Sequence, residues 1–160
     1  MIRLVRCDDR LIHGQCVTRV ISDFRIGHIV VCDDFVASNP VLKNVFLLAA
    51  PSGVKTEILS VPETAGRVPA LDAEKQNVLI LVRLPETALQ LHQTAPSLKK
   101  ELNIGPMSSR PNTKKATIYC SLTVPEQQAV WQLSAMGVRV YFNQVITQKT
   151  VEWGDIQAQF

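Results

Sequence analysis

The sequence predicts an α/β fold, a mostly parallel twisted open sheet with helices on both faces, and three observations carry that prediction. Short apolar runs alternate with segments of helical spacing along the whole chain, the pattern of strand–helix–strand units. Asn77-Val78-Leu79-Ile80-Leu81-Val82 is the most apolar run and does not alternate, which suits a central strand covered on both faces. Ile2-Arg3-Leu4-Val5 is too brief for a helix, and the charged stretch after it leads straight into a helical segment. That stretch is then a loop from a strand's carboxyl end to a helix's amino end, where open α/β sheets bind ligands.

Taken in order, residues 15–24 carry Cys16, Val17, Val20, Ile21 and Phe24 at helical spacing. Residues 26–32 are a second apolar run, ended by Asp33-Asp34. Ser38-Asn39-Pro40 offers an N-cap and a proline for a first helical turn. Val41, Leu42, Val45, Leu48 and Ala49 then fall on one helical face, and Pro51-Ser52-Gly53 stops the helix. Residues 54–61 alternate enough for a strand with Thr56 and Ile58 on one face, and residues 62–71 form a short helix. After the central run, Arg83-Leu84-Pro85-Glu86 opens a helix with Ala88, Leu89 and Leu91 available for packing. Leu102-Asn103-Ile104 is a brief strand, residues 105–115 a polar loop holding Pro106, Arg110 and Pro111, and residues 116–119 the next strand. Thr123-Val124-Pro125-Glu126 is a capping box whose helix uses Ala129, Val130, Leu133 and Met136 and ends at Gly137. Val138, Val140 and Phe142 alternate with Arg139 and Tyr141 in a half-buried strand. The tail from Asn143 is polar apart from Val145, Ile146, Val151 and Trp153.

At 160 residues, 46% apolar and 19% charged, the chain reads as one globular domain over residues 1–160, without repeat, linker or low-complexity segment. No apolar run approaches the ~20 residues of a spanning helix. The start on a strand with Arg3 inside it argues against a signal peptide, so a cytosolic protein is expected. Cys7, Cys16, Cys32 and Cys120 form no CxxC and no metal spacing with histidine, so neither disulfides nor a metal site is expected. The net charge of +3 is dispersed, Lys99-Lys100 and Lys114-Lys115 are pairs rather than a tract, and aromatics are only 6%, which argues against nucleic acid. His28 and His92 read as structural or solvated, and Trp131 and Trp153 as packing residues.

The chemistry sits in Arg6-Cys7-Asp8-Asp9-Arg10-Leu11-Ile12-His13-Gly14-Gln15. The His13 imidazole offers a lone pair for in-line attack on phosphorus. Phosphoryl transfer asks the protein mainly for positioning and for compensation of charge on the equatorial oxygens. Arg10 presents a planar fork to two such oxygens, or alternatively pairs with Asp8 or Asp9. Backbone amides from Gly14 and Gln15 onward add donors and the positive end of a helix dipole. Asp8 and Asp9 would repel a phosphate that they faced. They are expected to hold the loop instead, accepting from backbone amides or from the imidazole N–H opposite the reacting nitrogen, and an Asx turn is open to either. In the later loop Ser108, Ser109, Arg110, Lys114 and Lys115 are candidate anion contacts.

Asp8-Asp9-Arg10-Leu11-Ile12-His13-Gly14-Gln15 resembles the active-site signature of one family, the EIIB component of the mannose–fructose–sorbose branch of the bacterial phosphotransferase system (PTS). Ile29-Val30-Val31-Cys32-Asp33-Asp34 sits where that family has its second strand, and Asn103-Ile104-Gly105 opens a later family loop. The likeness covers roughly the whole chain. It implies a three-layer α/β/α sheet with the first strand internal. It also implies that an EIIA protein phosphorylates His13, at Nδ1, and that the phosphoryl group passes to a sugar at a membrane EIIC/EIID complex, without metal or cofactor. The protein would then be a protein-N(pi)-phosphohistidine–sugar phosphotransferase at the inner face of the membrane, and self-association is left open. Four positions depart from the family pattern: Cys7 replaces an aliphatic residue, Pro106 a second glycine, and Ser108-Ser109 a more apolar pair. Two rivals stand beside this reading. A phosphocysteine enzyme on Cys7 would want a C-x5-R loop, but His13 occupies the arginine's place. A regulatory or ligand-binding α/β module would be phosphorylated on His13 without sugar transfer.

Overall fold

The computed structural model describes residues 1–145 and 148–160. The chain runs β1 (Ile2–Cys7), α1 (Gly14–Phe24), β2 (Ile26–Cys32), α2 (Asp34–Ser38), α3 (Pro40–Ala49), β3 (Lys55–Leu59), α4 (Val61–Asp72), β4 (Asn77–Val82) and α5 (Pro85–Thr94). It continues through β5 (Glu101–Ile104), β6 (Lys114–Thr117), β7 (Cys120–Leu122), α6 (Val124–Ala135), β8 (Arg139–Phe142), β9 (Val151–Glu152) and α7 (Trp153–Ile156). The main sheet has the order β3-β2-β4-β1-β5-β8-β9, parallel throughout except for the antiparallel edge strand β9.

Two cores lie on opposite faces of this sheet, which makes three layers. On one face Val17 and Val20 of α1 and Val36 of α2 meet Leu4, Ile29, Val31, Leu79 and Leu81. On the other, α4, α5 and α6 bring Val68, Leu71, Leu91, Ala129 and Leu133 against Val5, Val30, Val78, Ile80 and Val82. The central run does not alternate in polarity because successive side chains of β4 enter different apolar cores. β1 is internal, flanked by β4 and β5.

Local rules explain the boundaries that the sequence announced. Asn39 accepts from the amides of Val41 and Leu42, and Thr123 and Glu126 form the reciprocal capping box of α6. His28 lies inside β2, fully buried, with Nδ1 at 2.9 Å from Glu74 and Nε2 at 2.9 Å from Glu57. His92 is buried between the carbonyls of Ala88 and Lys99, and desolvation lowers its pKa. Both histidines are structural. Trp153 packs among Trp131, Phe142 and Phe160.

Several expectations are corrected. β1 runs on to Cys7, so Arg6 and Cys7 belong to the strand rather than to the loop. A short helix, α2, precedes α3, because Asp33 caps it through the Val36 amide. In α3 most of the expected inner face is turned out: Val41, Val45, Leu48 and Ala49 are exposed, while Leu42 packs inward as expected, joined by Phe46. α3 crosses to β3 at the edge of the sheet, so only a narrow stripe meets the core. Residues 116–119 are not the next strand of the sheet. β5 pairs directly with β8, which leaves no slot, and residues 114–122 fold into a separate antiparallel hairpin, β6–β7. Met136 is partly exposed at the end of α6. Ile146 lies outside the described residues.

Candidate functional site

Beyond β1 the chain turns at once. The Asp8 amide donates to Val82 O (3.0 Å) and the Leu11 amide to Asp8 O (3.0 Å), closing a turn against the end of β4. Leu11 and Ile12 drop into the core beneath and fasten the loop from below. Leu11 adopts φ +55, an unfavourable backbone for a non-glycine residue that its buried side chain holds in place. Gly14 follows at φ +38, with open space where a Cβ would stand, so backbone freedom rather than room requires glycine there.

His13 is the N-cap residue of α1 in extended conformation, and its side chain makes no capping bond. The imidazole instead points Nε2 at Asp8 Oδ1, 3.0 Å away. Asp8 is 1% exposed, and the same oxygen accepts from the Arg10 amide at 3.2 Å. A carboxylate only accepts, so Nε2 carries the proton and Nδ1 is left with its lone pair.

Beneath Asp8 lies a group that the sequence reading did not single out. Arg6 is buried within β1, and its Nη2 is 3.9 Å from Asp8 Oδ2. Nη1 donates to the Asn103 side chain and Nη2 to Gln144 O at 2.7 Å, while Asn103 Nδ2 donates to Asn143 Oδ1 at 2.8 Å. Burial pulls the Arg6 pKa down and Asp8 pushes it back up; arginine stays charged in either case. Gly105 is explained by the same group, since a Cβ there would come 2.6 Å from the Arg6 Cζ. The available signal was strand periodicity, because Arg6 and Asp8 are two residues apart and share a face.

Asp9 faces the other way. Its amide approaches Pro106 O (3.4 Å), and its Oδ2 accepts from the Ser108 amide at 2.7 Å, which ties the motif to the second loop. Ser108 and Ser109 are exposed and open on a cleft of about 290 Å³ that reaches Thr113, Lys115 and Tyr119. Arg110 is occupied elsewhere. It grips Glu126 with both terminal nitrogens (2.8 and 2.9 Å) and reaches the carbonyls of Ser121 and Ser108. Most of its donors are therefore engaged in fixing this loop to α6, away from the role of anion contact that the sequence offered it.

Arg10 is exposed, with no carboxylate at ion-pair distance among the described residues, so the alternative pairing with Asp8 or Asp9 is absent there. Gln15 is exposed in the first turn of α1. Cys7 is fully buried, and burial raises its thiol pKa well above normal; a thiol held protonated is no nucleophile, which removes the phosphocysteine rival. All four cysteines are free. No cluster of potential metal ligands is found among the described residues.

The family described as "PTS system sorbose subfamily IIB component" matches residues 2–159. The chain is 30% identical over 150 residues to the sorbose-specific EIIB component of Klebsiella pneumoniae, covering 94% of this chain and 91% of that protein. It is 31% identical over 144 residues to the fructose-specific EIIB component of Bacillus subtilis, covering 90% and 88%. The crystal structure of the IIBSor domain of the Klebsiella pneumoniae sorbose permease superposes with a TM-score of 0.88 at 29% identity, covering 99% of this chain and 97% of that one.

Proposed function

The chain belongs to the sorbose subfamily of PTS IIB components, and from that premise we propose how its motif moves a phosphoryl group. A component of this kind takes the phosphoryl group from EIIA and delivers it to a sugar. His13 is the phosphorylated nucleophile. Its Nδ1 lone pair forms a bond to phosphorus as the N–P bond of the EIIA phosphohistidine breaks, and the donor ring takes back its electron pair. The His13 ring becomes positive as Nδ1 bonds phosphorus, and the Asp8 carboxylate on Nε2–H compensates that charge. In the second transfer a sugar hydroxyl oxygen bonds phosphorus and gives its proton to solvent as the N–P bond breaks, and Nδ1 regains its lone pair.

Arg10 clamps the equatorial oxygens through both steps. The amides of Gly14, Gln15 and Cys16, which lack intrahelical acceptors, add donors on the same side. Asp9 and Ser108 position the loops, with no metal or cofactor in any step. In full the activity is that of a protein-N(pi)-phosphohistidine–sugar phosphotransferase working with an EIIA donor and an EIIC/EIID permease. Among the described residues no helix is long and apolar enough to cross a membrane. Attachment to the inner membrane face would then come through the permease.

The observation that carries this reading is the 3.0 Å contact between His13 Nε2 and Asp8, which supports Nδ1 as the reactive nitrogen. The experiment is incubation with EIIA, its upstream phosphocarriers and labelled phosphoenolpyruvate, followed by peptide mapping. An acid-labile label on the His13 peptide, absent in His13→Ala, is expected; an acid-stable label, or one elsewhere, overturns the assignment. Sugar phosphate formed in permease vesicles separates a transferase from a module that is phosphorylated only.

A further inference from the structure

We propose that Arg83 is a second phosphoryl-binding guanidinium of this site, held by Asp33 until His13 is phosphorylated. The inference rests on the reading of His13 above. β1 and β4 are adjacent and parallel, yet the chain leaves β1 into α1 on one face and β4 into α5 on the other. The crevice outside two such strand ends is where open α/β sheets bind ligands. The His13 loop forms the β1 side of that crevice, and Arg83 is the first residue of the β4 side.

Register places Arg83 more closely. Cys7 pairs with Val82, so Arg83 stands one step beyond the ladder, opposite Asp8. On the far flank Val31 pairs with Leu81, which puts Asp33 opposite Arg83 as well. The period of two sends Arg83 to the face of Leu79 and Leu81, the face of Asp8 and α1. Arg83 is thus the cation between two acidic strand ends, on the face from which His13 starts its helix.

Its bonding state separates it from the other fixed arginines. Arg83 is 39% exposed in its side chain; Nε is buried 3.3 Å from Asp33 Oδ2 without a hydrogen bond to any described residue. Asp33 is itself anchored, accepting from the Val36 amide through Oδ1 at 2.9 Å. Arg6 and Arg110, by contrast, hold several partners each. A guanidinium whose terminal nitrogens hold no hydrogen bond to any described residue, at the ligand edge of the sheet, matches a tetrahedral dianion. Asp33 balances its charge while the site is empty. When the dianion arrives on His13, Arg83 exchanges the carboxylate for phosphoryl oxygens, losing no proton and making no covalent bond.

The test is the ³¹P NMR titration of the protein phosphorylated on His13. Arg83→Gln is expected to raise the pKa of the phosphoryl group by roughly half a unit, and Asp33→Asn, which still caps α2, to lower it by a similar amount. Single-turnover transfer to sugar should fall about ten-fold in Arg83→Gln and partly recover in Arg83→Lys. A phosphoryl pKa unmoved in Arg83→Gln, while Arg10→Gln raises it, overturns the proposal. If Arg83→Gln does not fold, Asp33→Asn decides, and an unmoved pKa there overturns it equally. A labelled His13 with silent Arg83 and Asp33 variants removes only this inference, whereas an unlabelled His13 removes the reading on which it rests.

Discussion

In the mechanism proposed for His13 the chemistry turns on which ring nitrogen carries the proton, and the carboxylate beside the ring decides it. Asp8 is buried, fixed by the Arg10 amide and backed by Arg6, so Nε2 has a partner that can only accept. Asp8→Asn keeps the shape but introduces an amide that donates as well as accepts, and the proton is then free to sit on Nδ1. The expected outcome is a larger Nδ1–H population by ¹⁵N NMR and phosphorylation slowed by roughly ten-fold or more, about 1.4 kcal/mol of transition-state stabilisation. A wild-type tautomer at a wild-type rate would take Asp8 out of the mechanism. Motif spacing suggested a fixed tautomer but left Asp8 and Asp9 indistinguishable. Their division of labour, one to the ring and the other to Ser108, follows from strand direction: Asp8 continues the alternation of β1, and Asp9 points to the β5 side.

Elements were legible where their cause is local. The box at Thr123–Glu126 and the cap at Asn39 involve residues three apart or fewer, and both appear as expected. The β6–β7 hairpin was not legible, since a run such as Ala116-Thr117-Ile118-Tyr119 does not say which strand it pairs with. Nor was the Arg110–Glu126 pair, whose members are 16 residues apart. Glu126 is 2% exposed, so Arg110→Ala strands a buried carboxylate and is expected to cost about 2–3 kcal/mol, discounted from a fully buried pair because Arg110 is partly exposed. Ser108→Ala should leave stability unchanged, because only the Ser108 backbone takes part in holding the loop. Urea unfolding of the two variants checks both; equal midpoints would show that Arg110 is not the fastener of this loop.

For the molecule as a whole, the residues of the proposed mechanism are confined to one edge of the sheet. The carboxyl ends of β1, β4, β2 and β5 gather His13, Arg83, Asp33 and the second loop, while the buried His28 joins Glu57 and Glu74 farther down β2, β3 and the approach to β4. Lys114 and Lys115 stand exposed on the hairpin that the second loop leads into, with Lys114 Nζ 5.1 Å above the Phe160 ring. Charges on such a rim steer association rather than chemistry. Lys114→Ala/Lys115→Ala is expected to slow phosphorylation by EIIA several-fold at low salt, less at high salt, and to recover at saturating EIIA. Single-turnover rates across salt and EIIA concentration check this; a defect that saturation leaves in place would move these lysines into the site.

By itself the sequence determined the α/β class, the run of β4, the capped helix starts and the loop that holds His13. Each of these is written in neighbouring residues, through period, propensity and caps. Tertiary structure alone decided the strand order, the outward turn of Val41, Val45 and Leu48, the withdrawal of Arg110 and the partners of Arg6 in Asn103 and Gln144. Those outcomes depend on which strands lie side by side. Pairing sets them between residues far apart in the chain, and no local pattern encodes it.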